Sequence, residues 1–322
     1  MSQKQLAFAC VALATVLFSL MEITLKGVSA HFHPIQMNFT RFFIGGLVLL
    51  PFAVQKMRRR SADAPLLDRA ALMKMAGLGF VGIFFSMTCY QLAVMQTDAS
   101  VVAILFSGNP LFVMLFAALF LGEPIHQRNV IALILEILGI LVIVSPWNMR
   151  LDPYGVLFAL VAMLAFALYG VLGKRETKKF GVIVTTCGGF LLGSMEMMLL
   201  ALVTHIPPVV SFLQTTPLHE YANIPFFSGY SLDILPGFLF VCIGVTGIGY
   251  VAYFTAMEKT SAATASLVFF FKPVLSPILA FVLIQEAIPV NRMLGVVIIF
   301  AGSLVQMMPM LRQWLAEKKK TV

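Results

Sequence analysis

Two apolar stretches of the chain decide its fold. The first is YQLAVMQTDASVVAILFSGNPLFVMLFAALFLGEPI, from Tyr90 to Ile125, and the second is YFTAMEKTSAATASLVFFFKPVLSPILAFVLIQEAI, from Tyr253 to Ile288. They align without a gap at an offset of 163 residues, and the matched pairs include Tyr90 with Tyr253, Pro110 with Pro273 and Glu123 with Glu286. Both are long and apolar enough to cross a lipid bilayer. The chain therefore repeats a membrane-spanning unit.

The composition is typical of a membrane protein. Of 322 residues, 60% are hydrophobic and only 11% are charged, and the mean hydropathy is +0.95. A soluble domain of this length needs more polar residues to cover its surface. The net charge of +8 comes from basic residues between apolar runs, so we predict a lipid bilayer as partner and no nucleic acid. The four cysteines lie far apart within apolar runs, which predicts small hydrophobic side chains rather than a disulfide framework or a metal site, and the sequence predicts no cofactor.

The hydropathy pattern predicts an all-α integral membrane protein with ten transmembrane helices. Their approximate ranges are 6–28, 35–56, 72–95, 98–121, 129–147, 153–174, 182–205, 235–257, 261–284 and 291–311. Most connections between them are short. The exception is segment 206–234, which contains no lysine or arginine.

The basic residues predict the orientation of the chain. With the N-terminus in the cytoplasm, 17 lysines and arginines fall on the inside and 3 on the outside, while Arg41 and Lys272 fall within spans. Basic residues concentrate on the cytoplasmic side of membrane proteins. We therefore expect a multi-pass protein of the cytoplasmic (plasma or inner) membrane, with both termini in the cytoplasm and segment 206–234 outside.

The earlier spans repeat as well, at an offset of 148 residues. The matched pairs there include Phe18 with Phe166, Lys26 with Lys174 and Phe42 with Phe190. The difference between the offsets, 163 minus 148, is a 15-residue enlargement of the second unit in its outer loop. Each unit has five spans, and an odd number means that the units cross the membrane in opposite directions. We predict two inverted-topology five-helix repeats, 1–150 and 151–322, a plan of secondary transporters whose substrate site lies near the midplane.

Short motifs recur in several spans. The second span contains R-F-F-I-G-G-L, the fourth contains N-P and closes with L-G-E, and the ninth contains K-P and closes with I-Q-E. Together with the ten spans, they resemble the EamA-type branch of the drug/metabolite transporter superfamily over nearly the whole chain. The resemblance implies a central cavity lined by the first, third, fourth, sixth, eighth and ninth spans. It also implies transport, since members commonly export amino acids, other small metabolites or toxic compounds, and some import.

Lys272 is the most unusual candidate for a substrate-binding residue. It lies near the middle of the ninth span, where a lysine costs roughly 2.5–3.5 kcal/mol and cannot easily reach either surface. We expect it to anchor a substrate carboxylate or phosphate, or to exchange partners with a membrane acid; a permanent ion pair is the alternative. Glu22 in the first span is its candidate partner and a candidate carrier of a coupling proton. Many relatives have a glutamate or glutamine in place of Lys272 and a small or neutral residue in place of Glu22.

Two prolines occupy the same position in the two units. A proline frees a carbonyl one turn earlier and bends the helix, so Pro110 and Pro273 predict symmetric hinges that expose backbone polar groups to a cavity. Packing without a hinge is the alternative. Asn109 adds a neutral hydrogen-bonding group at the position that matches Lys272.

The remaining site candidates are an arginine and a set of aromatic and amide side chains. Arg41 in the second span can bind an anionic group or hold helices together. The cavity-lining spans supply Tyr90, Gln91, Tyr169, Tyr250, Tyr253 and Phe269. Rings with few polar groups suit small amphipathic metabolites. We expect Glu123, at the end of the fourth span, to accept hydrogen bonds from the next helix or to pair with Arg128.

These observations favour a secondary active transporter that moves amino acids or related amphipathic or anionic metabolites by alternating access, as an exporter. Import or exchange of an anionic solute is the alternative within transport. Walker, HExxH and G-x-S-x-G motifs are absent from the sequence, so the chain is not predicted to be an enzyme or a primary pump. A channel is disfavoured by the inverted repeat. The predicted partners are a small-molecule substrate, lipid and a coupling proton, in a monomer or a homodimer.

Overall fold

The regular secondary structure in the described part of the computed structural model consists of helices. It describes residues 3–28, 31–59, 67–96, 102, 105–106, 108–144, 153–216, 218–265, 267–285, 290, 293–302, 304–305 and 308. These ranges contain no strand. Glu22, Lys26 and Pro273 belong to helices by their backbones, but their side chains lie outside the described residues.

The helices follow one another in chain order with mostly short connections. The first half of the chain has α1 (Gln3–Val28), α2 (Pro34–Arg58), α3 (Arg69–Gly79), α4 (Met87–Gln96), α5 (Asn109–Leu121) and α6 (Gln127–Val144). The second half has α7 (Pro153–Phe180), α8 (Val182–Val203), α9 (Pro207–Gln214), α10 (Leu235–Leu239), α11 (Tyr250–Lys259), α12 (Ala262–Ala265), α13 (Leu267–Ile284) and α14 (Met293–Gly302). Two π-helical segments, π1 (Phe80–Ser86) and π2 (Phe240–Gly249), join α3 to α4 and α10 to α11.

Six helical stretches of the described chain are long and apolar enough to cross a membrane. They are α1, α2, the continuous α3–π1–α4, α7, α8 and the continuous α10–π2–α11. The apolar helices α5 and α14 are shorter. In the predicted span 98–121, the helix that contains Pro110 begins only at Asn109. A proline is favoured in the first turn of a helix, because its missing N–H has no partner there in any case.

Particular residues fix the helix ends. The Asp68 side chain accepts a hydrogen bond from the Ala71 N–H at 2.8 Å and so caps α3. Helix α5 ends at Gly122 and α8 follows α7 directly after Gly181, and these glycines have φ of +66° and +84°. Glycine adopts positive φ without steric cost, so the chain can turn sharply at both positions.

The two π-helical segments lie at repeat-related positions. Shifted by 163 residues, π1 corresponds to residues 243–249, which fall within π2. Within π2, the Thr246 hydroxyl donates to the Val241 carbonyl, five residues earlier, at 2.9 Å. Such wide turns are rare and frequently occur near functional sites. Here the third and eighth predicted spans each contain one π-helical segment at the corresponding position.

Packing between the halves is reciprocal. Helix α1 packs against α11 and α13, whereas α7 packs against α4 and α5. At the repeat offsets, α7 is the counterpart of α1, and α11 and α13 are the counterparts of α4 and α5. Helix α2 packs along its own counterpart, α8. Corresponding elements of the two halves thus make corresponding contacts.

Glycines allow the closest helix crossings. A Cβ atom on Gly79 would lie 2.6 Å from the Gly189 carbonyl oxygen, and one on Gly193 would lie 2.8 Å from the Gly79 carbonyl oxygen. The backbones of α3 and α8 therefore touch directly. Helices α6 and α14 cross in the same way at Gly139 and Gly302, which are repeat counterparts.

Segment 206–234 is anchored to the start of α2. The Gln36 side chain donates hydrogen bonds to the carbonyl oxygens of Phe226 and Ser228 at 3.2 and 2.8 Å. The His33 ring caps α2 by accepting from the Ile35 N–H at 3.2 Å, and its other nitrogen lies 3.2 Å from the Glu220 carbonyl oxygen. Burial lowers the pKa of His33, and the contact with Glu220 offsets part of this effect. The ring is therefore held neutral, with Nε2–H as the donor to Glu220.

Candidate functional site

Aromatic side chains pack together in the centre of the bundle. We call them the central aromatic cluster: Phe18, Phe42, Phe106, Phe166, Tyr169, Phe190, Tyr250, Tyr253, Phe254 and Phe269. The Tyr250 ring centroid lies 5.3, 5.7 and 5.1 Å from those of Phe18, Phe42 and Phe190, with interplanar angles of 66°, 86° and 80°. Edge-to-face contacts of this kind contribute about 0.5–1.5 kcal/mol each beyond area burial. The cluster thus joins helices of both halves through preferred ring geometry.

Most of the cluster consists of repeat counterparts. The pairs are Phe18 with Phe166, Phe42 with Phe190, and Phe106 with Phe269. Phe42 and Phe190 contact each other with centroids 5.0 Å apart, and Phe106 and Phe269 with centroids 6.4 Å apart. Residues that match across a sequence repeat and touch each other lie close to the axis that relates the two units. The cluster therefore marks the contact between the halves.

Three tyrosines and one phenylalanine that the sequence predicts to line the site belong to this cluster. Tyr169, Tyr250, Tyr253 and Phe269 are all buried. The Tyr169 ring lies over Gly82 of π1 so closely that a Cβ there would be 2.2 Å from its Cγ. The Tyr253 hydroxyl is buried and has no hydrogen-bond partner among the described residues. A buried hydroxyl without a partner is available to a polar group that enters the cluster.

Arg41 is buried beside the cluster with no carboxylate partner among the described residues. Its residue exposure is 3%, and its Cζ lies 4.7 Å from the Phe42 ring centroid. Nη1 and Nη2 donate to the thioether sulfurs of Met21 and Met87 at 3.5 and 3.4 Å, and Nε has no partner within the described ranges. Thioethers are weak acceptors. The guanidinium is therefore a buried cation whose hydrogen-bonding capacity the described residues leave largely unused.

The predicted amide and aromatic neighbours border the cluster. Asn109 is buried, and its Nδ2 donates to the Met163 carbonyl oxygen at 3.1 Å, while its Oδ1 has no partner among the described residues. The Tyr90 ring contacts Phe106 edge-on at 5.2 Å. Gln91 instead donates to the Asn38 side chain of α2 at 3.4 Å, three residues before Arg41.

Lys272 lies half-buried on α13, on the helix that packs along α1. One turn later, the Ser276 hydroxyl donates to the Ser19 carbonyl oxygen of α1 at 3.3 Å. The side chain of Glu22 is outside the described residues, so its pairing with Lys272 stays a prediction. So does the pair of hinges, since the Pro273 side chain is also outside them. The backbone of Pro273 lies inside α13, whereas Pro110 is in the first turn of α5.

An ion pair joins the halves at one end of the bundle. Lys174 Nζ of α7 lies 2.6 Å from Glu123 Oε1, just after α5, and 3.5 Å from the Thr260 carbonyl oxygen. The same Glu123 oxygen accepts from the Ala262 N–H of α12 at 3.4 Å. The expected hydrogen bond from a helix start exists, but it comes from α12 and not from the next helix, and Lys174 takes the place expected for Arg128.

Sequence reasoning missed several of these residues. Phe18, Phe42, Phe166 and Phe190 stand out as repeat matches, which is the signal that would have identified them as central. Met21 and Met87 carry no such signal, because a methionine within an apolar run looks like any packing residue.

Comparison with known proteins agrees with this architecture. The family model described as the EamA-like transporter family matches residues 5–145 and 153–308. An uncharacterized transporter of Clostridium kluyveri is 31% identical over 303 residues, which cover 92% of this chain and 91% of that protein. An S-adenosylmethionine uptake transporter of Rickettsia prowazekii is 24% identical over 52% of this chain and 54% of its own length.

A solved crystal structure shares the fold. It superposes with a TM-score of 0.73 at 18% identity, over 94% of this chain and 97% of the other. The family and its named relatives are transporters and not enzymes. With its helical bundle, its two matched segments and its apolar spans, the chain is a multi-pass membrane protein that belongs to the EamA-like transporter family.

Proposed function

We propose that the chain is a secondary active transporter that exports small amphipathic metabolites carrying an anionic group, such as amino acids, by alternating access. The observation that carries this proposal is Arg41, a buried guanidinium that no described carboxylate neutralises, beside a cluster of aromatic rings. Export is the direction that the family resemblance favours. The expected membrane is the cytoplasmic membrane.

The proposed architecture is ten spans in two inverted halves, 1–150 and 151–322, with both termini in the cytoplasm. Reciprocal packing, the π-helical segments at matching positions and the contacts between matched phenylalanines support two related units. The charge distribution supports the orientation. In such transporters the substrate site lies where the two repeats meet.

Arg41 is proposed to bind the anionic group of the solute. A charge buried away from water is unfavourable by several kcal/mol unless it is paired, and thioethers and one ring do not replace a carboxylate. A carboxylate can form two parallel hydrogen bonds with the guanidinium fork. A bound solute anion would thus supply the partner that the described residues do not. The Phe42 ring, which lies against Arg41, and the Tyr250 ring, which lies against Phe42, would contact the apolar part of the same solute.

Lys272, Glu22 and Asn109 are proposed to complete the site. Lys272 and Asn109 match across the repeat, so they offer a cationic and a neutral polar group to a solute between the halves. Glu22 is proposed to carry the coupling proton, because a carboxylate freed from a cationic partner in a dry site takes up a proton more readily. Pro110 and Pro273 are proposed as hinges. Neither a monomer nor a homodimer is favoured by these contacts.

The test is counterflow in proteoliposomes. Proteoliposomes that contain the purified protein are loaded with one unlabelled solute at a time, from a panel of amino acids and related carboxylates. Uptake of a labelled trace of the same solute is then compared with uptake by liposomes without the protein. A carrier shows a transient overshoot that saturates with solute concentration, and amides or esters of the same solutes are transported more slowly. Linear, unsaturable flux would indicate a channel, and a panel without any overshoot would contradict the substrate class.

Import or exchange of an anionic solute is the second candidate. The position of Arg41 supports import or exchange as much as export, because a buried cation attracts an anion from either side of the membrane. A relative named for uptake of S-adenosylmethionine supports import within the family. Cells that express the protein should then accumulate the labelled solute, whereas an exporter lowers its internal level.

A further inference from the structure

We propose that Glu123 and Lys174 form a latch that holds one end of the transporter closed and must break for that end to open. The proposal rests on alternating access as proposed above. The latch consists of the two side chains together with the Thr260 carbonyl and the Ala262 N–H. The proposed orientation places it on the cytoplasmic side.

The latch connects three elements from both halves. Gly122, with its φ of +66°, ends α5 and turns the chain so that Glu123 leaves the helix toward α7. From there the carboxylate contacts Lys174 on α7 and the backbone at the start of α12. Lys174 also reaches the backbone that follows α11. Helix α5 therefore cannot separate from α7 and α12 at this end while the pair is intact.

Because the Glu123–Lys174 pair is buried, its stability depends on whether water reaches it. The Lys174 side chain is 4% exposed and the Glu123 side chain 21% exposed. Separating two charges in a dry environment leaves both without a partner, which is strongly unfavourable. Water that enters when this end opens can solvate both groups. The pair is therefore stable when the end is closed and dry, and the separated charges are tolerated only when it is open and wet.

The sequence repeats both members of the pair. Lys174 matches Lys26 and Glu123 matches Glu286, although the side chains of Lys26 and Glu286 lie outside the described residues. A protein that exchanges one closed end for the other needs equivalent closing groups in both repeats. Each repeat carries the same two residue types at matching positions, as two equivalent closing pairs require.

The test measures access to the latched end without any substrate. Thr177 is buried one turn after Lys174, so a Thr177→Cys variant reports entry of a membrane-impermeant thiol reagent there. Labelling of the peptide that carries position 177 is followed by mass spectrometry in proteoliposomes. We expect Glu123→Gln and Lys174→Met each to raise the labelling rate about tenfold or more. The double variant should label no faster than the faster single variant, because each single change already breaks the ion pair and the second change removes the charge that the first left unpaired.

Two controls separate a latch from general loosening. Glu258→Gln removes an ion pair within α11 at the same end, between Glu258 and Lys259 at 3.5 Å, and should leave labelling unchanged. A Met37→Cys reporter, buried at the start of α2, should not become more reactive in the latch variants. Unchanged labelling at position 177, or an equal rise at both reporters, overturns the latch. Because no solute is present, neither outcome depends on whether the proposed substrate class is correct.

Discussion

Replacing Arg41 with methionine should stabilise the protein and abolish its transport of anionic solutes. The substitution loses the cation–π contact with Phe42, worth about 0.5–2 kcal/mol, and two weak hydrogen bonds to sulfur. It gains the removal of a buried charge that no described carboxylate neutralises, and apolar replacements of buried ion pairs range from neutral to about 4 kcal/mol stabilising. We expect a net increase of about 1–2 kcal/mol in the free energy of unfolding, measured by denaturant titration in detergent micelles.

The same change removes the proposed contact with the solute anion. A charge-assisted contact in a dry site is worth about 2–5 kcal/mol, so counterflow of the preferred solute should fall at least about 30-fold. Arg41→Lys keeps the charge without the planar fork and should retain an intermediate rate. If Arg41→Met instead lowers the unfolding free energy by about 2 kcal/mol and leaves the rate per folded molecule intact, Arg41 holds helices together and binds no substrate.

Three further predictions follow from particular contacts. Gly79→Ala should lower the free energy of unfolding by about 1–3 kcal/mol, because the added Cβ would clash with backbone atoms of α8. Gly77→Ala should be neutral or stabilising, because a Cβ at Gly77 would have nothing within 4 Å. Equal effects of the two changes in the same denaturant titration would contradict the close crossing of α3 and α8. Burial lowers the pKa of His33, so its stabilising effect is complete above a pH of about 6.5 and is lost as the pH falls through the folded-state pKa. Protease cleavage of segment 206–234 should therefore accelerate between pH 7.5 and 5.5, and His33→Asn should remove that acceleration. Tyr253→Phe should leave stability unchanged or raise it by about 1 kcal/mol, because the hydroxyl has no partner among the described residues, and should slow counterflow; an unchanged rate would exclude the hydroxyl from the site.

Hydropathy and the internal repeat predict much of the helical framework, because a bilayer span is encoded locally by a run of apolar residues. The predicted ranges 182–205 and 235–257 agree with α8 and with the α10–π2–α11 stretch to within a few residues. The repeat also identifies the phenylalanine pairs that meet at the centre. It does so because related units that face each other bring matched residues toward one axis.

Tertiary contacts account for what the sequence could not predict. Lys174 looked like one of several basic residues near a membrane surface, and only the approach of α5 and α12 makes it the partner of Glu123. The sequence could not show that α5 begins at Asn109, which puts Pro110 in the first turn, where its missing N–H needs no partner; its role as a hinge stays a prediction. In the π-helical segments, Gly82 lies under the Tyr169 ring and the Thr246 hydroxyl donates to the Val241 carbonyl, and hydropathy is insensitive to contacts of this kind.

The central aromatic cluster also bears on how tightly any solute can bind. Its rings contact one another, so the protein itself occupies the space in which the apolar part of a solute would lie. At the proposed site, a solute would bind only to molecules whose rings have parted, and the measured dissociation constant would be the intrinsic constant divided by the fraction of such molecules. If about 1% are parted, binding is weakened about a hundredfold. Weak apparent affinity would then reflect the stability of the solute-free protein, and flat solutes that restore the lost ring contacts would be preferred.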